Sequence, residues 1–380
     1  MTTAPPLSGV RVADFSRVLA GPLATMTLAD LGAEVVKVER PGVGDDIRQW
    51  GPPWTEHSSS YFASVNRTKQ SIVLDLRCPD DLRVACSLAA RADVLVENFL
   101  TGTMEGLGLG YDQLAAENPG LVYCSVTGFG SAAGAALPGY DFVAQAVGGL
   151  MSITGDQEGG PTKVGVALVD VLTGKDAVIG ILAALQERAR SGRGQRLEVN
   201  LLSSLLGSLA NQASAYLSTG RPPARMGTRH PSIAPYEMLR CRDGQLALAC
   251  GNDTQFGRLC EVLGLPDLVT DRRFATNAAR VAHRDELAAL LEQGLQAESV
   301  TVWAGRLAGV GVAAGPVNDL GAALRLAQSL GLAPTVAVGD GHPDQVRHPI
   351  TWSRSTVCTP TPPPALGADS AEIRARLEKP

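Results

Sequence analysis

Apolar positions keep two alternating rhythms through the first 130 residues. Val10–Phe15, Glu34–Val38, Ser71–Leu76, Val94–Glu97 and Leu121–Thr127 are short runs rich in β-branched and apolar side chains, the pattern of strands covered on both faces. Between them lie stretches with helical spacing. Pro22 suits the first turn of one that runs to Leu31 and stops at Gly32, and Asp80–Arg91 carries another. A strand–helix–strand opening predicts parallel pairing through right-handed crossovers. The pattern therefore predicts a doubly wound α/β domain.

Further along, Tyr140–Val147 reads as a short helix. Val171–Ser191 reads as a long one closed by Gly192, Arg196–Val199 as an added strand, and Leu201–Ser218 as an apolar helix. Thr219–Pro231 is rich in Pro, Gly and Arg and reads as a boundary. Tyr236–Arg240 and Gln245–Cys250 form a predicted hairpin across Arg242-Asp243-Gly244. Helices near 254–263, 280–293 and 300–309 and a strand at Val310–Ala314 follow, so a smaller α+β domain is expected there. The Pro-rich tail ends in a predicted helix, Ser370–Leu377.

Composition narrows the function classes. The 380 residues exceed one ordinary core, so two domains are expected. Aromatics are 4% and net charge is −5 with no sustained basic run, which argues against nucleic acid and anionic membranes as partners. Met1–Ser8 lacks a secretory-leader pattern, and the longest apolar stretches are too short to span a bilayer. Seven scattered cysteines with no CxxC and no Cys/His cluster predict reduced thiols, a cytoplasmic location and no metal site. The turn after the first strand, Ser16–Pro22, has no GxGxxG, so a nicotinamide cofactor loses its main support. The long loop Pro41–Ser64 has the length of a functional or lid-like segment.

One stretch organises the candidate chemistry. The apolar run Val164–Val169 delivers Asp170 to the start of the long helical pattern. At or near a helix N-cap, a carboxylate accepts free N–H groups and meets the positive end of the dipole, which keeps it ionised. Taken alone this is an ordinary helix cap.

The ordered set of motifs resembles the class III CoA-transferases, the CaiB/BaiF family. The matching stretches are DFSRVLAGPLATMTLADLGAEVVKVERPGVGD (14–45), NRTKQSIVLDL (66–76), ADVLVENF (92–99), SVTGFG (125–130), PGYDFVAQAVGG (138–149), VALVDVLTG (166–174) and SGRGQRLEV (191–199). The resemblance implies a large Rossmann-like domain with a parallel sheet built from both chain ends, a smaller α+β domain, and an interlocked homodimer. On that reading residues 1–218 are the N-terminal part of the large CoA-binding domain and 219–232 a linker. Residues 233–325 are the small domain, and 326–380 are the return linker and the C-terminal part of the large one. Asp170 falls on the family's catalytic aspartate. The CoA site carries over to Arg17, Val18, Leu19, Ala20, Arg40, Leu74, Arg77, Asn98 and Phe99, with Tyr140 beside it. Substrates would be an acyl-CoA and a carboxylic acid acceptor, with no tightly bound cofactor.

An arginine at position 40, just past the second strand, suits a phosphorylated ribose, and CoA carries a 3′-phosphate; the alternative is a surface arginine paired with Asp45 or Asp46. There are departures from the family. Two basic positions of formyl-CoA transferases fall on Gly106 and Pro138, which throws phosphate contacts onto Arg17 or Lys69. The Gly-rich flap is replaced by Met226–Pro231, against formate or oxalate chemistry.

Two other functions are possible on this scaffold. A 2-methylacyl-CoA racemase shares the aspartate but needs an acid/base partner. The resemblance locates that partner as a histidine at position 140, where this chain has tyrosine, a poor base near neutral pH at a reference pKa of ~10. A supporting acid of the racemases falls near Asp253. A non-catalytic CoA-binding protein would have no need of Asp170. Asp141 is read as a helix cap or a group behind the site, and His230 as a linker hydrogen-bonding residue or a substrate contact.

Overall fold

The structure is a computed structural model that describes residues 4–378. Six strands form the first sheet: β1 (Arg11–Asp14), β2 (Glu34–Glu39), β3 (Gln70–Val73), β4 (Val94–Glu97), β5 (Val122–Thr127) and β6 (Arg196–Asn200). Their spatial order is β3-β2-β1-β4-β5-β6, and every pairing is parallel. This is the doubly wound order, which reverses direction between β1 and β4.

The continuous apolar runs have a physical reason: successive residues enter opposite cores. Val12, Val35, Val94 and Val96 pack with Ala24, Leu28, Ala177 and Ile181 of the helices Ala20–Asp30 and Leu168–Ser191. Their neighbours Ala13, Val36 and Leu95 pack on the other face with Ala85, Leu88 and Ala89 of the helix Pro79–Ala90. Both faces are covered, so alternation of apolar with polar is not required.

The parallel sheet was expected to draw on both chain ends, and here the structure corrects the detail. All six strands lie between residues 11 and 200. The C-terminal end joins the same unit as a helix, Ser370–Leu377, whose Ile373 is fully buried and whose preceding Asp369 accepts the Ser71 N–H at 2.8 Å. Pro360 and Pro362–Pro364 lack the N–H groups that a ladder needs.

The chain groups into two compact units. One takes residues up to 150, 163–220 and those from 333 onward; the other takes 151–162 and 221–332. The first change of unit in the Pro/Gly/Arg stretch falls at Gly220–Arg221, whereas the membership of 151–162 is invisible to chain order. The second unit holds an antiparallel sheet of β7 (Tyr236–Arg240), β8 (Gln245–Ala249) and β9 (Ala313–Pro316) over a core containing Phe256, Leu291 and Trp303. The helix expected over Leu201–Ser218 is two helices, Leu201–Ser208 and Ala210–Thr219, broken where Ala210 takes φ 43°. No helix among the described residues is long and apolar enough to cross a membrane.

Candidate active site

A cleft of about 250 Å³ opens at the carboxyl ends of the strands of the first sheet. It is walled by Arg17–Ala20 after β1, Asn98–Thr101 after β4 and Thr127–Gly130 after β5. This is the switch point of the strand order, where an open α/β sheet leaves a crevice between diverging loops. The far wall is Leu137–Tyr140, brought in by backbone contact: a Cβ on Gly128 would lie 2.6 Å from the Gly139 Cα. Asp170 is among the residues that line the cleft.

Asp170 reaches the cleft because of Gly174, one helical turn further on. A Cβ at Gly174 would stand 2.7 Å from the Ala20 carbonyl oxygen, so only glycine lets the long helix cross the start of the Ala20–Asp30 helix so closely. Residues four apart share a face. Asp170 is thereby carried alongside Leu19 and Ala20.

The expected capping role belongs to a different residue. Asp170 is the third residue of its helix, Ala167 occupies the N-cap position, and no side chain of the helix caps it. Instead Asp141 Oδ1 accepts the N–H of Val169 at 2.7 Å and that of Asp170 at 3.3 Å. Buried Gln145 donates to Asp141 Oδ2 at 2.7 Å and accepts the Val164 N–H at 2.9 Å, bracing the approach to the helix. The Asp170 carboxylate has no hydrogen bond or ion pair among the described residues. It was also expected to stay ionised. Burial, followed by the charge of Asp141, pushes its pKa up to about 7.

The other expected residues divide. Arg17, Val18, Leu19, Ala20, Asn98, Phe99 and Tyr140 line the cleft with Asp170. The Arg17 guanidinium stands 5.1 Å from the Phe99 ring centre and 3.6 Å from Asp46. Arg40 is outside the lining but pairs with the same Asp46 and donates to the Gly44 carbonyl at 3.0 Å. Leu74 is 1% exposed and belongs to the core under the sheet. Arg77 is 89% exposed and pairs with Asp75. Neither lines the cleft. Lys69, a candidate phosphate contact, is fully buried and spends its ammonium on Asp14, Asn66 and the Pro22 carbonyl.

Tyr140 is 57% exposed at the N-cap of the helix Asp141–Val147. None of the residues lining the cleft is a histidine. His230 accepts the Ser232 N–H at 3.0 Å, and Asp253 pairs with the buried Arg280 at 2.6 Å; both lie in the second unit. Asp46 was expected only as a surface partner of Arg40, which it is, but it also lines the cleft. Sequence reasoning missed Tyr61, which lies in the short helix Ser60–Ser64 within the stretch expected as a long loop. Burial, then Asp170 and Asp141, push the Tyr61 phenol up to about 12, so it stays a hydrogen-bond donor at neutral pH. The described residues contain no cluster of three His, Cys, Asp or Glu able to hold a metal ion.

The profile of CoA-transferase family III matches residues 7–370. The chain belongs to that family. It is 43% identical to the succinate–glutarate CoA-transferase of Agrobacterium fabrum over 98% of this chain and 96% of that one. It is 41% identical to the succinyl-CoA:glutarate CoA-transferase of Mus musculus over 97% of this chain and 85% of that protein. A crystal structure of a CaiB/BaiF family protein from Brucella suis superposes with a TM-score of 0.88 at 43% identity, covering 99% of this chain and all of that one. As a family III enzyme, the protein transfers CoA between acids.

Proposed function

We propose that the enzyme works by covalent catalysis on Asp170, moving CoA from an acyl-CoA thioester to a free carboxylic acid. The observation that carries this reading is an unpaired carboxylate in the cleft. Asp46, the cleft's other carboxylate, is occupied by Arg17 and Arg40. With a pKa of about 7, a useful fraction of Asp170 is ionised at neutral pH without a neighbouring base.

The steps balance without a net proton or electron. An Asp170 oxygen attacks the thioester carbonyl, the C–S bond breaks, and CoA leaves as thiolate from a mixed anhydride. The thiolate attacks the aspartyl carbonyl and expels the donor carboxylate, leaving an aspartyl-CoA thioester. The acceptor carboxylate attacks that thioester and displaces the thiolate. The thiolate then attacks the acceptor's carbonyl and frees Asp170. Each tetrahedral intermediate needs a donor near its oxyanion. The Val169 and Asp170 amides are already taken by Asp141, which directs attention to the Tyr61 and Tyr140 hydroxyls.

For the acids, the relatives named for succinate and glutarate favour small dicarboxylic acids. Racemisation lacks support because position 140 is a tyrosine, and the cleft lining supplies no histidine in its place. The test is to incubate the enzyme with succinyl-CoA and hydroxylamine and map the modified residue by mass spectrometry. Asp170 should carry the hydroxamate, and Asp170→Ala should lose at least ~10³-fold in activity. Normal transfer by that variant would sink the proposal.

A further inference from the structure

The turn Ser16–Val18, which delivers the chain from β1 into the cleft, is held by side chains from elsewhere. Asp14 accepts the Ser16 N–H at 3.0 Å, and the Lys37 ammonium donates to the Ser16 carbonyl at 2.8 Å. Asn98 takes both backbone groups of Arg17, accepting its N–H at 2.9 Å and donating to its carbonyl at 2.7 Å. Asp45 accepts the Val18 N–H at 3.1 Å and forms a 2.9 Å ion pair with Lys37. The Lys37 and Asp45 side chains are fully buried.

Val18 itself sits at φ 70°. That region is unfavourable for any residue with a Cβ and most of all for a β-branched one, so it persists only where the surroundings over-determine it. The bonds meet at the strained residue: Asn98 anchors the peptide before it, Asp45 its own N–H, and Lys37 ties Asp45 to Ser16. Arg17, Val18 and Leu19 all line the cleft.

We propose that Lys37, Asp45 and Asn98 are positioning residues for CoA, clamping Ser16–Val18 in a strained conformation that presents Arg17–Leu19 to the ligand. This rests on the reading of the cleft as the CoA site. Without the clamp the strain drives the turn away, and only a minor fraction of the protein is competent to bind. Apparent affinity falls by that fraction, while the bound complex reacts as before.

The decisive variant is Lys37→Met/Asp45→Leu. Removing both charges leaves Asp14–Lys69 and Glu39–Arg48 as intact pairs, so no lone buried charge remains. The expected result is a KM for succinyl-CoA raised ~10-fold or more with kcat within ~3-fold of wild type. Adding Val18→Gly should bring KM back to within ~3-fold, because glycine holds a positive φ without strain. A folded double variant with wild-type KM overturns the proposal, as does a KM defect that Val18→Gly leaves untouched. If the double variant does not fold, Asn98→Ala is made with and without Val18→Gly. Because Asn98 also lines the cleft, only a KM rise that Val18→Gly reverses supports the clamp, and an unchanged KM or an unreversed rise overturns it. Hydroxylamine labelling of the wild-type enzyme separates the two claims. A label away from Asp170 removes the functional reading, whereas a labelled Asp170 with unchanged KM removes the clamp alone.

Discussion

At Asp170 two electrostatic effects oppose each other. The amino end of a helix favours an anion, typically by 0.3–1 kcal/mol where exposed, about 2 at most. Burial and the charge of Asp141 disfavour one and win, which is why the pKa rises to about 7. A nucleophilic carboxylate must be ionised. The kcat/KM for acyl-CoA is therefore expected to fall about tenfold per pH unit below about 7 and to level off above it. Asp141→Asn keeps an oxygen for the Val169 N–H but removes the charge, so the acid limb should move to lower pH while burial still holds it above an ordinary carboxylate. Both profiles come from initial rates between pH 5 and 9, and a flat wild-type profile would count against Asp170 as the nucleophile. Arg40 makes a second residue-scale test. It and Arg17 converge on Asp46, a carboxylate that a phosphate can displace. Arg40→Ala should raise KM for CoA thioesters ~10-fold or more, with little effect on dephospho-CoA thioesters. Equal losses on both would remove the 3′-phosphate contact.

Among elements, the crossing of the Ala20–Asp30 and Leu168–Ser191 helices decides where Asp170 stands. Gly174→Ala places a methyl 2.7 Å from the Ala20 carbonyl oxygen, so backbone must move. The expected cost is about 1–3 kcal/mol of stability, together with a fall in kcat as Asp170 shifts from the cleft. Thermal melting and steady-state rates check both, and a wild-type kcat would mean that the crossing does not set the position of Asp170. How far such elements can be read from sequence depends on the range of the interactions. The strand–helix rhythm and the β7–β8 hairpin are written in neighbouring residues, and they stand close to where the periodicity puts them. Asp141 is different. It caps a helix 28 positions away, and nothing local to Asp170 reveals that the cap is already supplied. Leu74 follows the same logic: a leucine at a strand end reads alike whether it meets a ligand or, as here, the core. Tyr61 and Asp46 carried a usable signal, since the stretch containing them was already too long to be a plain connection.

On the scale of the whole molecule, the apolar surface left uncovered is an argument about assembly. The helix Leu320–Ser329 has no buried residue, and Leu320 and the adjoining Leu330 are 77% and 65% exposed. Val346 and Ile350 in the returning chain are also exposed. Isolated exposed apolar residues are ordinary, but leucines gathered on one amphipathic helix mark a face awaiting a partner. The partner proposed for it is a second copy of this chain, interlocked with the first as the family resemblance implies. A ring-through-ring dimer cannot separate by sliding apart, because one chain must open before the other is released. Light scattering should therefore give twice the 39.6 kDa of one chain, and the mass should not fall on dilution into the nanomolar range. Dissociation in denaturant should coincide with loss of secondary structure, with a midpoint that rises with protein concentration. A folded monomer populated on dilution would rule out the interlocked arrangement.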